Sequence, residues 1–402
     1  MKKIRLDGGY PLTGTIKISG AKNSAVALVP ASLLADSKVT IDNVPNISDI
    51  NALNEILEYL GATVSRKEET MEIDPSTVKG IEIPENISKK LRASYYFMGA
   101  LLGKYKRAEM YFPGGCSIGA RPIDLHLKGF EELGATIKTE GDKYIIEAEE
   151  LIGTNIYLDF ASVGATINIM LAATKAKGTT VIENAAKEPE IVNVATFLNQ
   201  MGAKITGAGT STIKIKGVEK LKGCYTEVIP DRIEAGTYVI AGALIGENLR
   251  IENVIPDHID SLLLKLKEMK VKMNIGKDSI TISKPNQYKK VNVQTQVFPG
   301  FPTDLQQPIT TLLTQCNGVS IVEENIYENR FQNVEYLNKM GANIKIDNKL
   351  LLINGSTKLT GAEVKATDLR AAAALIIAGL VAKGLTRVSE LKNLDRGYYK
   401  YT

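Results

Sequence analysis

A short phrase recurs along the chain and constrains its fold more than any other feature. Each copy ends a helix-like stretch with Leu or Met, continues with Gly-Ala or a degenerate equivalent, and leads into alternating polar and apolar residues. The central residues of the five copies, about 70 residues apart, are Gly61, Gly134, Gly202, Lys270 and Gly341. Self-similarity at a fixed period indicates that one supersecondary unit is repeated along the chain.

Two further phrases complete each repeat. An apolar strand closes at Asn43, Gly114, Asn184, Asn253 and Asn325, with a sixth copy near Leu391. A short strand and a polar turn open each repeat and lead into a helix of small apolar residues, which we expect to be buried. These six predicted helices are Ser24–Ala35, Ala93–Leu102, Ala165–Ala173, Ala235–Leu244, Gln307–Thr314 and Ala371–Ala382. Each unit is therefore predicted as strand, helix, strand, helix and strand pair, an α+β pattern.

Six such units divide most simply into two lobes of three. The segment from Gly223 to Arg232, with a Gly, a Pro and several charges, marks the predicted crossing between the lobes. A solenoid is the alternative, but a period of about 70 residues exceeds the usual solenoid range of roughly 20–50. The next Gly phrase would fall beyond Thr402, so the sixth repeat is predicted to be incomplete.

Composition restricts the function classes. The 402 residues carry a net charge of +4, which does not favour a nucleic-acid binder. The longest apolar run, 371–382, is too short for a bilayer, and the alternating residues 1–20 do not form a leader. Three widely spaced cysteines predict a reducing cytoplasm without a disulfide framework. Two histidines disfavour zinc sites and Ser-His-Asp arrangements.

Charged residues collect in the polar turns before the buried helices. They are Lys22 with Asn23, Arg92, Arg232 with Glu234, Asp304, and Asp368 with Arg370. Helix N-termini attract anions, and an added Lys or Arg makes a stronger anion site. The alternative is that these residues only cap ordinary helix starts. Each of the six repeats has an equivalent turn, and the lobes are pseudosymmetric. We therefore favour the interpretation in which these turns converge on one cleft.

The segment Phe112–Pro122 is the most unusual in the chain. Three Gly and two Pro surround Cys116, which predicts an exposed loop. Arg121, five residues on, would lower the pKa of the thiol, which could then serve as proton donor or nucleophile. The alternative is a fortuitous loop cysteine. Cys224 and Cys316 are predicted to fill core positions, and His126 to have a structural or substrate-orienting role.

Ordered motifs over nearly the whole chain resemble the enolpyruvyl transferase family, and within it the branch that acts on UDP-N-acetylglucosamine. The matching segments are Gly20–Ser24, Gly114–Pro122, Ser162–Thr166, Glu183–Ala186, Glu188–Glu190, Pro230–Glu234, Phe301–Asp304, Glu328–Phe331, Ala366–Arg370 and Asp395–Tyr398. The Cys-bearing loop distinguishes this branch from the one in aromatic amino-acid synthesis. The resemblance implies a two-lobed inside-out α/β barrel with three repeats per lobe and the active site between the lobes. It assigns residues 1–20 as a strand of the C-terminal lobe, 21–229 to the first lobe and 230–402 to the second.

The resemblance also implies a reaction. The enolpyruvyl group of phosphoenolpyruvate would move to the 3′-hydroxyl of the sugar with release of phosphate, through a tetrahedral intermediate, at the first committed step of peptidoglycan biosynthesis. Cys116 would protonate the methylene carbon and can form an adduct with phosphoenolpyruvate, which implies inactivation by the epoxide phosphonate fosfomycin. Asp304 would accept or orient the proton of the sugar hydroxyl. Lys22 and Arg396 complete the implied catalytic set.

The same resemblance implies two sets of binding residues and no metal or cofactor, because phosphoenolpyruvate brings its own leaving group. The phosphoenolpyruvate set is Lys22, Asn23, Arg121, Arg370 and Arg396, with Arg232 as a neighbour. The UDP-N-acetylglucosamine set is Arg92, Arg121, Pro122, Ile123, Asp124, Leu125, Ser162, Val163, Gly164, Asp304 and Ile326. Glu234 and Asp368 could hold the arginines in place. Phe160 stands where some members carry Lys, so one diphosphate contact is expected to be weaker.

Two other functions stay open from the sequence. The chain could be an enolpyruvyl transferase for another acceptor, such as a shikimate-like one, although the Cys-bearing loop and the segment Arg121–Leu125 disfavour it. It could also be a non-catalytic paralogue that binds the nucleotide sugar and regulates the pathway. The sequence does not identify a protein partner.

Overall fold

A computed structural model of the chain describes residues 3–111 and 123–399. These residues form two compact units. The first unit comprises residues 20–111 and 123–229, and the second comprises residues 3–19 and 230–399. The chain therefore starts in the second unit, builds the first, and returns to the second at residue 230.

The described residues contain twelve α-helices. They are α1 (Lys22–Ala31), α2 (Ser48–Leu60), α3 (Glu85–Ser88), α4 (Tyr96–Tyr105), α5 (Asp124–Glu132), α6 (Val163–Ala173), α7 (Pro189–Gln200), α8 (Arg232–Ile245), α9 (Asp260–Glu268), α10 (Gln306–Leu313), α11 (Val334–Lys339) and α12 (Leu369–Val381). Short 3₁₀ turns precede several of them, including Arg92–Tyr95 and Thr303–Leu305.

The strands of the described residues number twenty-three. They are β1 (Ile4–Asp7), β2 (Thr15–Lys17), β3 (Val39–Asp42), β4 (Thr63–Lys67), β5 (Thr70–Asp74), β6 (Glu82–Ile83), β7 (Arg107–Tyr111), β8 (Thr136–Glu140), β9 (Lys143–Glu147), β10 (Asn155–Tyr157), β11 (Thr179–Glu183), β12 (Lys204–Thr206), β13 (Thr212–Lys216), β14 (Tyr225–Glu227), β15 (Leu249–Glu252), β16 (Lys272–Ile275), β17 (Ser279–Ser283), β18 (Val293–Gln294), β19 (Gly318–Glu323), β20 (Ile344–Asp347), β21 (Leu350–Gly355), β22 (Glu363–Lys365) and β23 (Leu385–Ser389).

One arrangement of strands recurs through both units. In the third repeat the order is β10-β11-β13-β12, with β10 parallel to β11 and the other neighbours antiparallel. The sheets β14-β3-β5-β4, β6-β7-β9-β8, β16-β17-β15-β2 and β18-β19-β21-β20 have the same order. The sixth sheet has three strands, β1-β23-β22. The predicted sequence of strand, helix, strand, helix and strand pair is therefore confirmed as the repeated unit.

The recurring Gly phrase ends the second helix of a repeat. Gly61 and its counterparts at 134, 202 and 341 adopt φ between 94° and 108°, the left-handed region that costs glycine least. Lys270 occupies the same place with φ 69°. The degenerate copy of the phrase therefore keeps the turn although it lacks the glycine.

The Asn that closes the second strand of a repeat holds the edge of its sheet. Asn43, Asn184 and Asn253 have φ between 53° and 59°, which Asn tolerates better than most residues. Their side-chain amides donate to the carbonyls of Val228, Leu158 and Ile18 at 2.7–2.8 Å, just past the neighbouring parallel strand. The recurrence of Asn thus has a structural cause: it satisfies a carbonyl where the short edge strand ends.

The six opening helices are buried, as their composition predicted. Every residue from Gly164 to Ala173 in α6 and every residue of α10 is buried. Small side chains let these helices pack closely; a Cβ on Gly99 in α4 would lie 2.4 Å from the Asn168 carbonyl oxygen in α6. Among the described residues, no helix is both long enough and apolar enough to span a membrane.

Candidate functional site

In the first unit, a buried ion pair holds Lys22 at the start of α1. The Lys22 Nζ lies 2.7 Å from Asp49 Oδ2, and the two side chains are 13% and 6% exposed. Ala21, the residue before the helix, supplies no side-chain cap to the first N–H groups of α1. A cation beside a helix N-terminus is suited to bind an anion.

A hydrogen-bonded Asn fixes this turn against the rest of the unit. The Ser24 hydroxyl donates to Asn193 Oδ1, which also accepts from the Ile229 N–H at 3.2 Å. The Asn193 amide donates to the Glu227 carbonyl at 3.1 Å. These hydrogen bonds hold the first turn of α1, which also carries Asn23, the neighbour of Ser24.

The N-terminus of α6 forms a second possible anion-binding turn. Ser162 caps the helix, because its Oγ accepts from the Ala165 N–H at 3.3 Å. Gly164 lies against an aromatic wall, and a Cβ there would sit 2.8 Å from His126 Cε1 and 3.1 Å from the Tyr95 hydroxyl. A larger residue at this position would therefore clash with both rings.

His126 is neutral, and its tautomer follows from its partner. Asn168 Oδ1 accepts from the Gly99 N–H at 2.9 Å, so the other atom of that amide is the donor. That Nδ2 lies 2.8 Å from His126 Nδ1, which must accept, so the imidazole proton resides on Nε2. Burial, followed by the charge of Arg92, lowers the pKa of His126 to about 3. The imidazole is therefore a neutral ring in a fixed orientation that can donate from Nε2, and it is not suited to act as an acid or base.

In the second unit, two arginines form ion pairs with Asp304. Arg330 Nη2 donates to one carboxylate oxygen at 2.6 Å and Arg370 Nη2 to the other at 2.8 Å. The arginine side chains are only 3% and 5% exposed, whereas Asp304 is 25% exposed. Burial alone would raise the pKa of Asp304, but the two guanidinium groups outweigh it and hold that pKa well below 3.8. The carboxylate is ionised, oriented and partly open to solvent.

A directional chain of hydrogen bonds fixes Arg370. Its Nη1 donates to the Tyr398 hydroxyl at 3.3 Å, and that hydroxyl lies 2.8 Å from Thr237 Oγ1. Thr237 gives its single proton to the Ile233 carbonyl at 2.7 Å, so Tyr398 must donate to Thr237. The chain ties the start of α12 to the first turns of α8.

Two carboxyl groups near these arginines have other partners. Glu234 accepts from the Ser19 hydroxyl at 2.7 Å, and burial, with the nearby Asp231, raises the pKa of Glu234 to about 8. Asp368 caps α12 by accepting from the backbone N–H groups of residues 370 and 371. Asp304, rather than these two, supplies the carboxylate that contacts the Arg370 guanidinium.

The remaining predicted residues have varied placements. Cys116, Arg121 and Pro122 lie outside the described residues. Residues 92, 125, 232, 326 and 396 are half-buried, Ile123 is buried and Asp124 is exposed. Phe160 is 51% exposed, and the guanidinium of Arg232 lies 5.5 Å from the Phe298 ring. Burial raises the pKa of the Cys224 thiol to about 11 and that of the Cys316 thiol to about 12.

Sequence reasoning missed several partners that orient the site. Arg330 and Tyr398 lie inside segments already quoted as motifs, so their positions were visible although their roles were not. Asp49 and Asn193 lie within helices α2 and α7, and no motif in the surrounding sequence marks them as site residues. In residues 3–111 and 123–399, no group of three His, Cys, Asp or Glu side chains is arranged to hold a metal.

Comparison with known proteins identifies the family of the chain. A sequence model of the family described as EPSP synthase (3-phosphoshikimate 1-carboxyvinyltransferase) matches residues 6–402. UDP-N-acetylglucosamine 1-carboxyvinyltransferase 2 of Geobacillus kaustophilus is 55% identical over 398 residues, covering 99% of this chain and 93% of the relative. The protein of the same name from Listeria monocytogenes is 52% identical over 398 residues, covering 99% and 94%.

A solved structure supports the same family. The enolpyruvyl transferase NikO from Streptomyces tendae superposes with a TM-score of 0.89 at 27% identity, covering 98% of this chain and 94% of that protein. The resemblance and the fold class inferred from the sequence are therefore confirmed. With the family model matching almost the full chain and relatives above half identity, the chain belongs to the enolpyruvyl transferase family, beside the UDP-N-acetylglucosamine 1-carboxyvinyltransferases.

Proposed function

We propose that this chain transfers the enolpyruvyl group of phosphoenolpyruvate to the 3′-hydroxyl of UDP-N-acetylglucosamine and releases phosphate. The observation that carries the proposal is the carboxylate of Asp304, kept ionised and oriented by Arg330 and Arg370 in a chain 55% identical to a transferase of that name. We place the step at the start of peptidoglycan biosynthesis, in a reducing cytoplasm that suits the free thiols of Cys224 and Cys316.

Bond formation requires the sugar hydroxyl to attack the substituted carbon of phosphoenolpyruvate while the methylene carbon gains a proton. We assign the proton to the Cys116 thiol and the alignment of the hydroxyl to Asp304. A carboxylate with so low a pKa is a weak base, so it first accepts a hydrogen bond from the hydroxyl. It takes the proton only as the new C–O bond makes that oxygen acidic.

The resulting tetrahedral intermediate carries a carboxylate and a phosphate on one carbon. The methyl group then returns a proton to the Cys116 thiolate that the first step left, and the bond between the central carbon and the phosphate oxygen breaks, which regenerates the double bond and releases phosphate. We assign the anionic groups to Lys22, Arg121 and Arg396, with Asn23 as hydrogen-bond donor. Charge fixed in advance, such as the Lys22 ammonium on Asp49, needs little reorganisation during the reaction.

We further assign the residues that would contact the nucleotide sugar. In the first unit, residues 92 and 121–125 and the turn Ser162-Val163-Gly164 would bind uridine and diphosphate. The neutral His126 and the capped start of α6 support a rigid backbone site there. Asp304 and Ile326 would contact the sugar nucleotide from the second unit. Arg370 stays a proposed phosphoenolpyruvate ligand, although its Nη2 donates to Asp304.

Phosphate release tests the proposal and its two rivals. The purified chain is given phosphoenolpyruvate with UDP-N-acetylglucosamine, with 3-phosphoshikimate, or alone. Release that requires UDP-N-acetylglucosamine supports the proposal. Release with 3-phosphoshikimate instead would assign a different acceptor. Calorimetric binding of UDP-N-acetylglucosamine without any release would favour the non-catalytic paralogue.

A further inference from the structure

A buried carboxylate, Glu324, lies directly after β19 and next to the proposed sugar-nucleotide contact Ile326. Glu324 is only 3% exposed. A buried carboxylate is costly unless its oxygens are satisfied, so its partners indicate what it holds in place. None of the roles assigned above involves it.

One oxygen of Glu324 organises the segment that carries Ile326. Oε1 accepts from the backbone N–H of Ile326 at 2.8 Å and from that of Tyr327 at 3.2 Å. The hydroxyl of Thr295, the residue that follows β18, donates to the same oxygen at 2.9 Å. This carboxylate therefore closes the turn after β19 and fixes the backbone of Ile326.

The other oxygen leads to Asp304. Thr303 Oγ1 lies 2.8 Å from Glu324 Oε2 and 2.9 Å from Arg330 Nη1. A guanidinium has no acceptor, so Arg330 donates to Thr303. The single proton of the Thr303 hydroxyl then goes to Glu324. The hydrogen bonds run in one direction, from Arg330 through Thr303 to Glu324, while the other arm of Arg330 holds Asp304.

We propose that Glu324 is a positioning residue that sets Asp304 and Ile326 in fixed relation for the sugar nucleotide. Through Thr303 and Arg330 it orients the carboxylate that meets the 3′-hydroxyl. Through two backbone N–H groups it fixes the apolar contact of the same substrate. This inference rests on the proposed function, because both contacts are assigned to UDP-N-acetylglucosamine.

The variant Glu324→Gln breaks the arm that leads to Asp304 and keeps the arm that fixes Ile326. Its amide oxygen can still accept from the backbone of Ile326 and Tyr327. Its NH₂ group replaces an acceptor and faces the Thr303 hydroxyl, whose proton loses its acceptor there. We expect kcat to fall about 10-fold, with the KM values for UDP-N-acetylglucosamine and phosphoenolpyruvate little changed, because the turn at Ile326 is kept.

Thr303 provides a second variant that leaves the Ile326 arm intact. Thr303→Val removes the hydroxyl but keeps the branched shape, so Arg330 loses its tie to Glu324 while the turn at Ile326 remains. We expect kcat to fall about 10-fold with the KM for UDP-N-acetylglucosamine nearly constant. Thr303→Ser keeps the hydroxyl and should recover most of the kcat lost in Thr303→Val.

Glu323→Gln is the matched control. It makes the same chemical change one residue earlier, at a side chain that pairs with Lys349 at 2.8 Å on the surface. We expect it to leave kcat and both KM values unchanged. Urea unfolding midpoints near that of the wild type would show that the Thr303 variants and Glu324→Gln are folded.

The outcomes separate this inference from the proposed function. A wild-type chain that releases phosphate only with UDP-N-acetylglucosamine, combined with a lower kcat at nearly constant KM in both variants, supports both. Wild-type release with kinetic constants in Glu324→Gln and Thr303→Val equal to those of Glu323→Gln would overturn the positioning role alone. A folded wild-type chain without that release overturns the proposed function, and with it the substrate that Glu324 is said to serve.

Discussion

Arg370 donates from Nη2 to Oδ2 of Asp304 at 2.8 Å, and the arginine side chain is almost fully buried. Arg330 binds the other oxygen of the same carboxylate. Two buried guanidinium groups therefore depend on one carboxylate for compensation. A buried pair that loses one partner leaves an uncompensated charge, which costs far more than a surface ion pair contributes.

Removing this carboxylate should destabilise the second unit in a pH-dependent way. For Asp304→Asn we expect a loss of about 3 kcal/mol in the free energy of unfolding near pH 7. The pKa of Asp304 is lower in the folded chain than its usual unfolded value of about 3.9. The ionised side chain therefore stabilises the fold above that pH, and this stabilisation is lost as the pH falls below it. Urea unfolding should show a constant gap between the two proteins above about pH 5 and a narrowing gap below about pH 4. A gap that widens on acidification would contradict the ion-pair assignment.

The pair of Lys22 and Asp49 allows stability to be separated from catalysis. Lys22→Gln removes the ammonium group that pairs with the buried Asp49, so we expect a loss of about 2 kcal/mol in stability and at least about 100-fold in kcat/KM. Adding Asp49→Asn removes the buried negative charge and should restore stability but not activity. Urea unfolding and phosphate release on the two single variants and the double variant measure both effects.

Recovery of activity together with stability in that double variant would show that Lys22 acts only through folding. Glu72→Gln is the matched control, because Glu72 pairs with Lys38 at 3.1 Å while both side chains are largely exposed. A surface pair of this kind contributes about 0–1 kcal/mol, so this change should leave stability nearly unaltered.

Burial of a neutral His126 should make the fold sensitive to acid. Its folded-state pKa of about 3 lies below the usual unfolded value of about 6.5, so below that value the unfolded chain binds a proton that the folded chain does not. Between those limits this residue should remove about 1.4 kcal/mol of stability per pH unit. His126→Gln keeps an acceptor for Asn168 and removes the titration. The stability of the wild type relative to this variant should therefore decline from pH 7 to pH 5, and parallel curves would refute the assignment.

Covalent inactivation distinguishes Cys116 from the other two cysteines. The family resemblance predicts that fosfomycin alkylates Cys116, whereas burial holds the thiols of Cys224 and Cys316 in their protonated form near pH 7. Mass spectrometry should find one adduct per chain, absent in Cys116→Ser and retained in Cys224→Ser. Full activity and full sensitivity in Cys116→Ser would remove the proposed proton donor.

The repeat was readable because its parts obey local rules. Gly61 and its equivalents end helices in a left-handed turn, and the small apolar helices must be buried, so spacing and composition predicted the units. The reason for the recurring Asn was not readable. Its amide satisfies a carbonyl up to 235 residues away, as between Asn253 and Ile18, and no local pattern encodes such a partner.

The site divides in the same way. Charged turns and the family resemblance identified Lys22, Asp304 and Arg370, because helix starts and motif order are local properties. The partners that set their charge and orientation come from distant elements, as Asp49 for Lys22 and Arg330 for Asp304. A sequence therefore indicates which groups can react, and the fold determines how strongly each is ionised and where it is held.

The central claim is the identity of the acceptor, and mass spectrometry of the sugar nucleotide tests it most directly. The purified chain is incubated with phosphoenolpyruvate and equal amounts of UDP-N-acetylglucosamine and 3-phosphoshikimate, and released phosphate is measured in parallel. We predict that UDP-N-acetylglucosamine gains one enolpyruvyl group for each phosphate released, while 3-phosphoshikimate keeps its mass. An enolpyruvyl group on 3-phosphoshikimate, or an unmodified sugar nucleotide, would contradict the account.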